Sequence, residues 1–259
     1  MPAAKETGIG CAGYCPRCGR KHGLDGAAVR PAARALMRFF DDHGHVDLTG
    51  PDNAPDDRTT TAPLFGPERG KMFGVLLCRD VQGKMKILYG FSGMLNGHWR
   101  VPGWVGPLFN VDTFHHLVDP VERSIKELGR RMDGEQQNKT AWMRLRTRRR
   151  DISRQLMQRI FALYRLPDFR GRCHTLAQAF HGNGGIPTGT GDCCAPKLLA
   201  HAARHRFVPV SLAEFYYGRE NASATRVHKH FYPACEEKCA PILGTMLCGI
   251  GEIVAQDTI

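Results

Sequence analysis

Apolar and polar positions change period several times along the chain, and each change predicts an element. Between Arg30 and His43, the residues Ala33, Leu36, Met37, Phe39 and Phe40 recur at helical spacing and predict an amphipathic helix. Residues 47–70, rich in Pro, Asp, Thr and Gly, read as a long loop. The apolar runs Met72–Cys78 and Met85–Phe91 flank a turn at Asp80–Gly83 and predict a β-hairpin. Ser92 to Asn110 holds Gly93, Gly97, Gly103, Gly106, Trp99 and Trp104, which suits an ordered loop packed by its aromatics. From Pro120 to Leu166 the pattern turns helical and charged, with a break around Met132-Asp-Gly-Glu and a stripe of Leu145, Ile152, Leu156, Ile160 and Leu163. The last third predicts a short helix at Leu176–Phe180, a Gly-rich loop at His181–Gly191 and a helix at Cys193–His205. A strand at Val208–Tyr217, a polar loop at Asn221–His230 and a final helix at Pro233–Leu247 complete it. No internal repeat is present.

Charge adds a partner to this outline. The 259 residues carry a formal net charge of +11, a balance that favours polyanionic partners, with RNA or a nucleotide foremost. Much of it sits in the helical stretch, where Arg144, Arg146, Arg148, Arg149, Arg150 and Arg154 form either a solvated helix face or a rail for a phosphate backbone. No run of about twenty apolar residues exists, so no membrane span is expected. The opening Met1-Pro-Ala-Ala-Lys-Glu has no apolar run of the kind that directs export. A cytoplasmic setting is therefore expected, where ten cysteines stay reduced and clustered ones serve metal binding or chemistry.

Two cysteine constellations carry candidate chemistry. Cys11, Cys15, Cys18 and His22 match a small zinc knuckle, because thiolates and imidazole are zinc's preferred ligands. The same thiol spacing also suits free thiols or an iron–sulfur cluster. Farther on, Cys193 and Cys194 open one predicted helix, and Cys235 and Cys239 lie four apart near the start of another. A strand between the two helices brings both helix starts to one sheet edge, so these cysteines can converge on one Zn²⁺. Three ligands would leave a position for water, as a catalytic zinc requires, with Asp192 or Glu214 moving protons and Glu236 and Glu237 as further carboxylates. Four ligands, with Cys194 or His230 closing the set, would make the site structural. A rival use is a thiol nucleophile at Cys193 or Cys194 with His228 or His230 as base, which resembles papain-like and transglutaminase-like enzymes. His115, His116, His174 and His181 show no ligand spacing and read as structural or surface residues.

Several strings resemble one family in order and spacing. These are Gly70-Lys-Met-Phe-Gly-Val-Leu, Gly90-Phe-Ser-Gly-Met-Leu, Pro102-Gly-Trp-Val-Gly-Pro-Leu-Phe, Gly189-Thr-Gly-Asp-Cys-Cys-Ala-Pro-Lys-Leu-Leu, Leu212-Ala-Glu-Phe-Tyr-Tyr-Gly and Phe231-Tyr-Pro-Ala-Cys-Glu-Glu-Lys-Cys-Ala-Pro-Ile-Leu. Over roughly residues 25 to 248 the chain resembles the N-terminal accessory region of long-form bacterial RNA pseudouridine synthases of the ribosomal large-subunit type. The Arg-Leu-Asp that carries that family's catalytic aspartate does not occur. The resemblance therefore implies an RNA-modification context, and association with an RNA-modifying enzyme, without pseudouridine synthesis. More weakly, the order hairpin, helix opening at a cysteine, strand, helix opening at a cysteine pair resembles the cytidine-deaminase fold. That family uses Cys-x2-Cys and a Glu two residues past the first ligand. Here the pair is Cys235-x3-Cys239, and Ala195 and Pro196 stand where the Glu would be.

Together these readings predict an α/β fold: a deaminase-like three-layer sheet with helices, a basic helical insert at about 118–166, and a zinc knuckle in residues 1–24 preceding a main domain over 25–259. The function expected is a zinc-dependent, deaminase-like hydrolase acting on a nucleobase or nucleotide, in RNA or free. The alternatives are a non-catalytic RNA-binding module with structural zinc, or a cysteine-nucleophile hydrolase or transferase.

Overall fold

The computed structural model describes residues 8–49 and 56–252. The architecture is mixed α/β with open antiparallel sheets. Two strands, β1 (Ile9–Cys15) and β2 (Arg20–Asp25), form an N-terminal hairpin, followed by α1 (Arg30–His43). Strands β3 (Lys71–Arg79) and β4 (Met85–Phe91) form the expected central hairpin. Next come α2 (Val111–Gly134), α3 (Lys139–Leu163), the short pair β5 (Leu166–Pro167) and β6 (Cys173–His174), and α4 (Leu176–Ala179). The chain then runs through α5 (Cys194–Arg204), β7 (Val208–Tyr217), β8 (Phe231–Tyr232) and α6 (Ala240–Met246). The central sheet has the order β4-β3-β7-β8, antiparallel throughout.

Alternation along the central strands builds one core on each face of this sheet. Phe73, Val75, Ala213, Phe215 and Tyr217 meet α1 and Trp104 on one face. Leu76, Cys78 and Leu212 meet α5 and α6 on the other. Phe40 of α1 anchors the first core, with its ring 4.9 Å from Phe73 and 5.1 Å from Tyr217. On the second face Gly74 makes room for α5, because a Cβ there would lie 2.5 Å from the Cβ of Cys194. The N-terminal hairpin packs backbone to backbone. A Cβ on Gly10 would sit 1.7 Å from the Leu212 carbonyl oxygen, and one on Gly13 would sit 2.3 Å from the Gly244 nitrogen. Only glycine admits that approach.

Two helix boundaries differ from expectation. The insert's first helix begins at Val111, well before Pro120, because Asn110 caps it by accepting the Thr113 N–H at 2.9 Å. Pro120 lies within the helix rather than at its start. The final helix begins at Ala240, not Pro233. Residues 235–239 form a turn closed by the Cys239 and Ala240 N–H groups on the Cys235 carbonyl, at 3.2 and 3.0 Å. Among the described residues, no helix is long and apolar enough to cross a membrane.

Candidate metal centres

Two groups of side chains are placed to bind a metal ion. In each group the ligand atoms lie within 4.8 Å of one another. The first combines Cys15, Cys18, His22 and Cys248. Cys15 ends β1, Cys18 sits in the connecting turn, and His22 lies on β2. Gly19 closes that turn at φ 68°, donating its N–H to the Cys15 carbonyl at 2.9 Å. The fourth donor, Cys248, comes from the turn after α6. Burial raises the Cys18 thiol, but the His22 Nε2 3.0 Å away and neighbouring groups outweigh it and bring it down to about 7. Burial and the Cys15 thiol push Cys248 up to about 12.

Cys11 is outside this group, a correction to the expected knuckle. Four residues along an extended strand span about 13 Å, too far for Cys11 and Cys15 to share an ion. Cys11 is instead buried in the core on the α5 face, and burial together with Glu214 raises its thiol to about 12. Cys248 takes the place that spacing assigned to Cys11.

The second group is Cys193, Cys235 and Cys239. Cys193 is the N-cap of α5 and Cys239 the N-cap of α6, so the strand between them does bring both helix starts together. Cys235 and Cys239 converge through the 235–239 turn rather than along a helix face. The three sulfurs share hydrogen bonds that pull Cys235 far below an ordinary thiol and push Cys193 and Cys239 above it. Cys194 is not part of this group. Its side chain points into the core and donates to the Met72 carbonyl at 3.3 Å.

Both predicted carboxylates lie close by. Glu214 on β7 is 3% exposed and accepts the Ala195 N–H at 2.8 Å. Burial, reinforced by Cys235, pushes its carboxyl up to about 7 despite that hydrogen bond. Asp192 accepts the Tyr164 hydroxyl at 2.6 Å, and burial raises it while Tyr164, Lys197 and Lys238 act to lower it. Glu236 and Glu237 are exposed. His228 is held elsewhere, its Nδ1 accepting the Gly218 N–H at 3.0 Å and its ring against Tyr217 and Phe65. His230 is exposed. Among the described residues neither is grouped with Cys193, which lies instead with Cys235 and Cys239, so the rival thiol–imidazole arrangement finds no support here.

Sequence reasoning missed three residues here. Cys248 had no local spacing to mark it. Tyr164 had no signal beyond its helix boundary. Lys197 is 1% exposed, and its ammonium donates to the Phe91 and Gly93 carbonyls at 2.9 and 2.7 Å while lying 4.8 Å from the Phe91 ring centre. The basic residues Arg144, Arg146, Arg148, Arg149, Arg150 and Arg154 all lie exposed on α3, and Leu156 is the one buried residue of that helix. Comparison with protein-family models, curated proteins and solved structures finds no match for this chain.

Proposed function

We propose that this chain is a non-catalytic RNA-binding module that works in an RNA-modification setting, with zinc locking its scaffold. One observation carries the reading: α3 is a mostly exposed helix holding eight Lys/Arg side chains against a single Asp. Its partner α2 carries four basic and five acidic residues, so the positive charge is concentrated on one side of the helical pair. Among the described residues, the ion pairs of α3 are those of Arg150 and Arg154 with Asp151, at 3.7 and 4.0 Å. Arginine's planar fork suits phosphate oxygens, and released counterions drive such binding. The Cys15, Cys18, His22 and Cys248 set offers four donors of zinc's preferred kinds, which suits a closed structural site. The resemblance to the accessory region of RNA pseudouridine synthases supports RNA over DNA. The variant Arg148→Gln/Arg149→Gln/Arg150→Gln should bind a single-stranded RNA of about 20 nucleotides roughly tenfold or more weakly at moderate salt. The slope of log K against log salt should fall by about 2, at about 0.7 per phosphate. Unchanged affinity and slope in a filter-binding titration would remove this reading.

A second reading rests on the other cysteine group. Three thiols leave a fourth coordination position, and the buried Glu214 carboxyl, held near neutral pH, lies within electrostatic reach of Cys193 and Cys235. A zinc ion there would supply Lewis-acid activation of water, and Glu214 would hold or move the proton, as deaminase-like chemistry needs. Zinc-loaded protein should then release ammonia from cytidine, adenosine or RNA containing them, with Glu214→Gln slower by about 10²–10⁴. Absence of ammonia from the wild-type protein with all three substrates would leave the structural reading alone.

A further inference from the structure

At the root of the α2–α3 pair lies a cavity of about 570 Å³ that the metal centres do not use. Arg100, Arg165 and Arg204 line it from three separate segments: the loop before α2, the end of α3 and the last turn of α5. The residues lining it include no carboxylate. Three arginines and no carboxylate around one cavity give it a positive character that suits an anion.

The backbone fixes this arrangement. The Arg165 N–H donates to the Leu108 carbonyl at 3.2 Å, tying the end of α3 to the loop that forms the floor. Arg165 Nη1 donates to the Ala162 and Tyr164 carbonyls at 2.7 and 3.0 Å, which leaves its Nε–H and Nη2 hydrogens for a ligand. Arg204 Nη2 donates to the Arg165 carbonyl at 3.1 Å. Asn110 and Thr113, in the first turn of α2, complete the wall and add the positive end of a helix dipole. Leu108, Phe109 and Leu163 give the cavity an apolar side.

We infer that this cavity is a phosphate-binding subsite that holds one backbone phosphate of the RNA strand lying along α3. The inference rests on the RNA-binding reading and extends it, because the end of α3 leads directly into the cavity. Forked guanidinium donors match phosphate oxygens, and the apolar side suits the attached ribose or base.

The test uses the full chain, single-stranded RNA of about 20 nucleotides and inorganic phosphate as probes. The variant Arg100→Gln/Arg165→Gln/Arg204→Gln should lose roughly tenfold in RNA affinity, and its salt slope should fall by about 0.7, one phosphate's worth. Arg165 and Arg204 also hold carbonyls, so Arg100→Gln alone serves as the second variant. Arg100 has no hydrogen bond or ion pair among the described residues, and its loss should weaken binding about threefold with an unchanged melting temperature. Full RNA affinity in both variants, alongside weakened binding by the α3 arginine variant, would overturn the subsite and leave the α3 reading standing. Full affinity in all variants would overturn both. Inorganic phosphate that binds wild type but not the triple variant, with RNA affinity the same in both, would make this a site for free phosphate and overturn its assignment to the strand.

Discussion

Cys248→Ser should strip about one metal ion per chain and lower the melting temperature by roughly 10 °C, while Cys11→Ser keeps the metal. The contrast follows from geometry. Cys248 lies within 4.8 Å of the other three donors, whereas Cys11 lies up the strand in the core. A structural ion present at about a thousand times its dissociation constant stabilises the fold by about 4 kcal/mol, which for a chain of this size corresponds to roughly 10 °C. Chelation of the wild-type protein should produce a similar drop. Cys11→Ser should cost about 1–3 kcal/mol, from a hydroxyl placed in an apolar core. Metal analysis of both purified variants decides the matter. Retention of metal by Cys248→Ser with loss by Cys11→Ser would mean that the ligand set is the one read from spacing alone. The same analysis separates Cys193→Ser, which should lose metal from the second centre, from Cys194→Ser, which should not.

Lys197→Ala should destabilise the fold by about 3–5 kcal/mol, among the largest effects of any single substitution. The change removes a long buried side chain and leaves a cavity, and it strips the Phe91 and Gly93 carbonyls of their donor. Lys197→Met keeps most of the volume and should cost less. The pH dependence distinguishes a charge effect from packing. Burial lowers the folded-state ammonium from 10.5 to about 8, so between about pH 8 and 10.5 the unfolded chain binds more protons than the folded one. Wild-type stability should therefore rise with pH across that window relative to Lys197→Met. The gap between their melting temperatures should widen in favour of wild type. A gap that stays constant from pH 7 to 10 would show that the lysine acts through packing alone.

The central hairpin, α1, β7 and the start of α5 were legible because each depends on local alternation or spacing. So was the convergence of Cys193, Cys235 and Cys239, since element order alone brings two helix starts to one edge. The details that failed involve directions and distant partners. Adjacent cysteines at the start of a helix point about 100° apart, which sends Cys194 into the core and Cys193 to the thiol cluster. Whether Cys11 sits on a strand or in a compact turn decides its distance from Cys15, and composition does not reveal this. Cys248 and the cavity arginines are assembled by tertiary contacts with no counterpart in local sequence. Pro120 misplaced the start of α2, because a proline usually marks a helix's first turn and here the Asn110 cap fixes it earlier.

The union of Cys15, Cys18 and His22 with Cys248 also sets a clock on biosynthesis. The hairpin leaves the ribosome well before Cys248, and the whole stretch between His22 and Cys248 must be made first. At about 5–20 residues per second, the interval is on the order of ten to fifty seconds. For that time the two cysteines and the histidine would be an incomplete chelate, open to a wrong ion or to oxidation. Capture of a metal by all four donors would thus mark the moment at which the N-terminal hairpin and the turn after α6 have met.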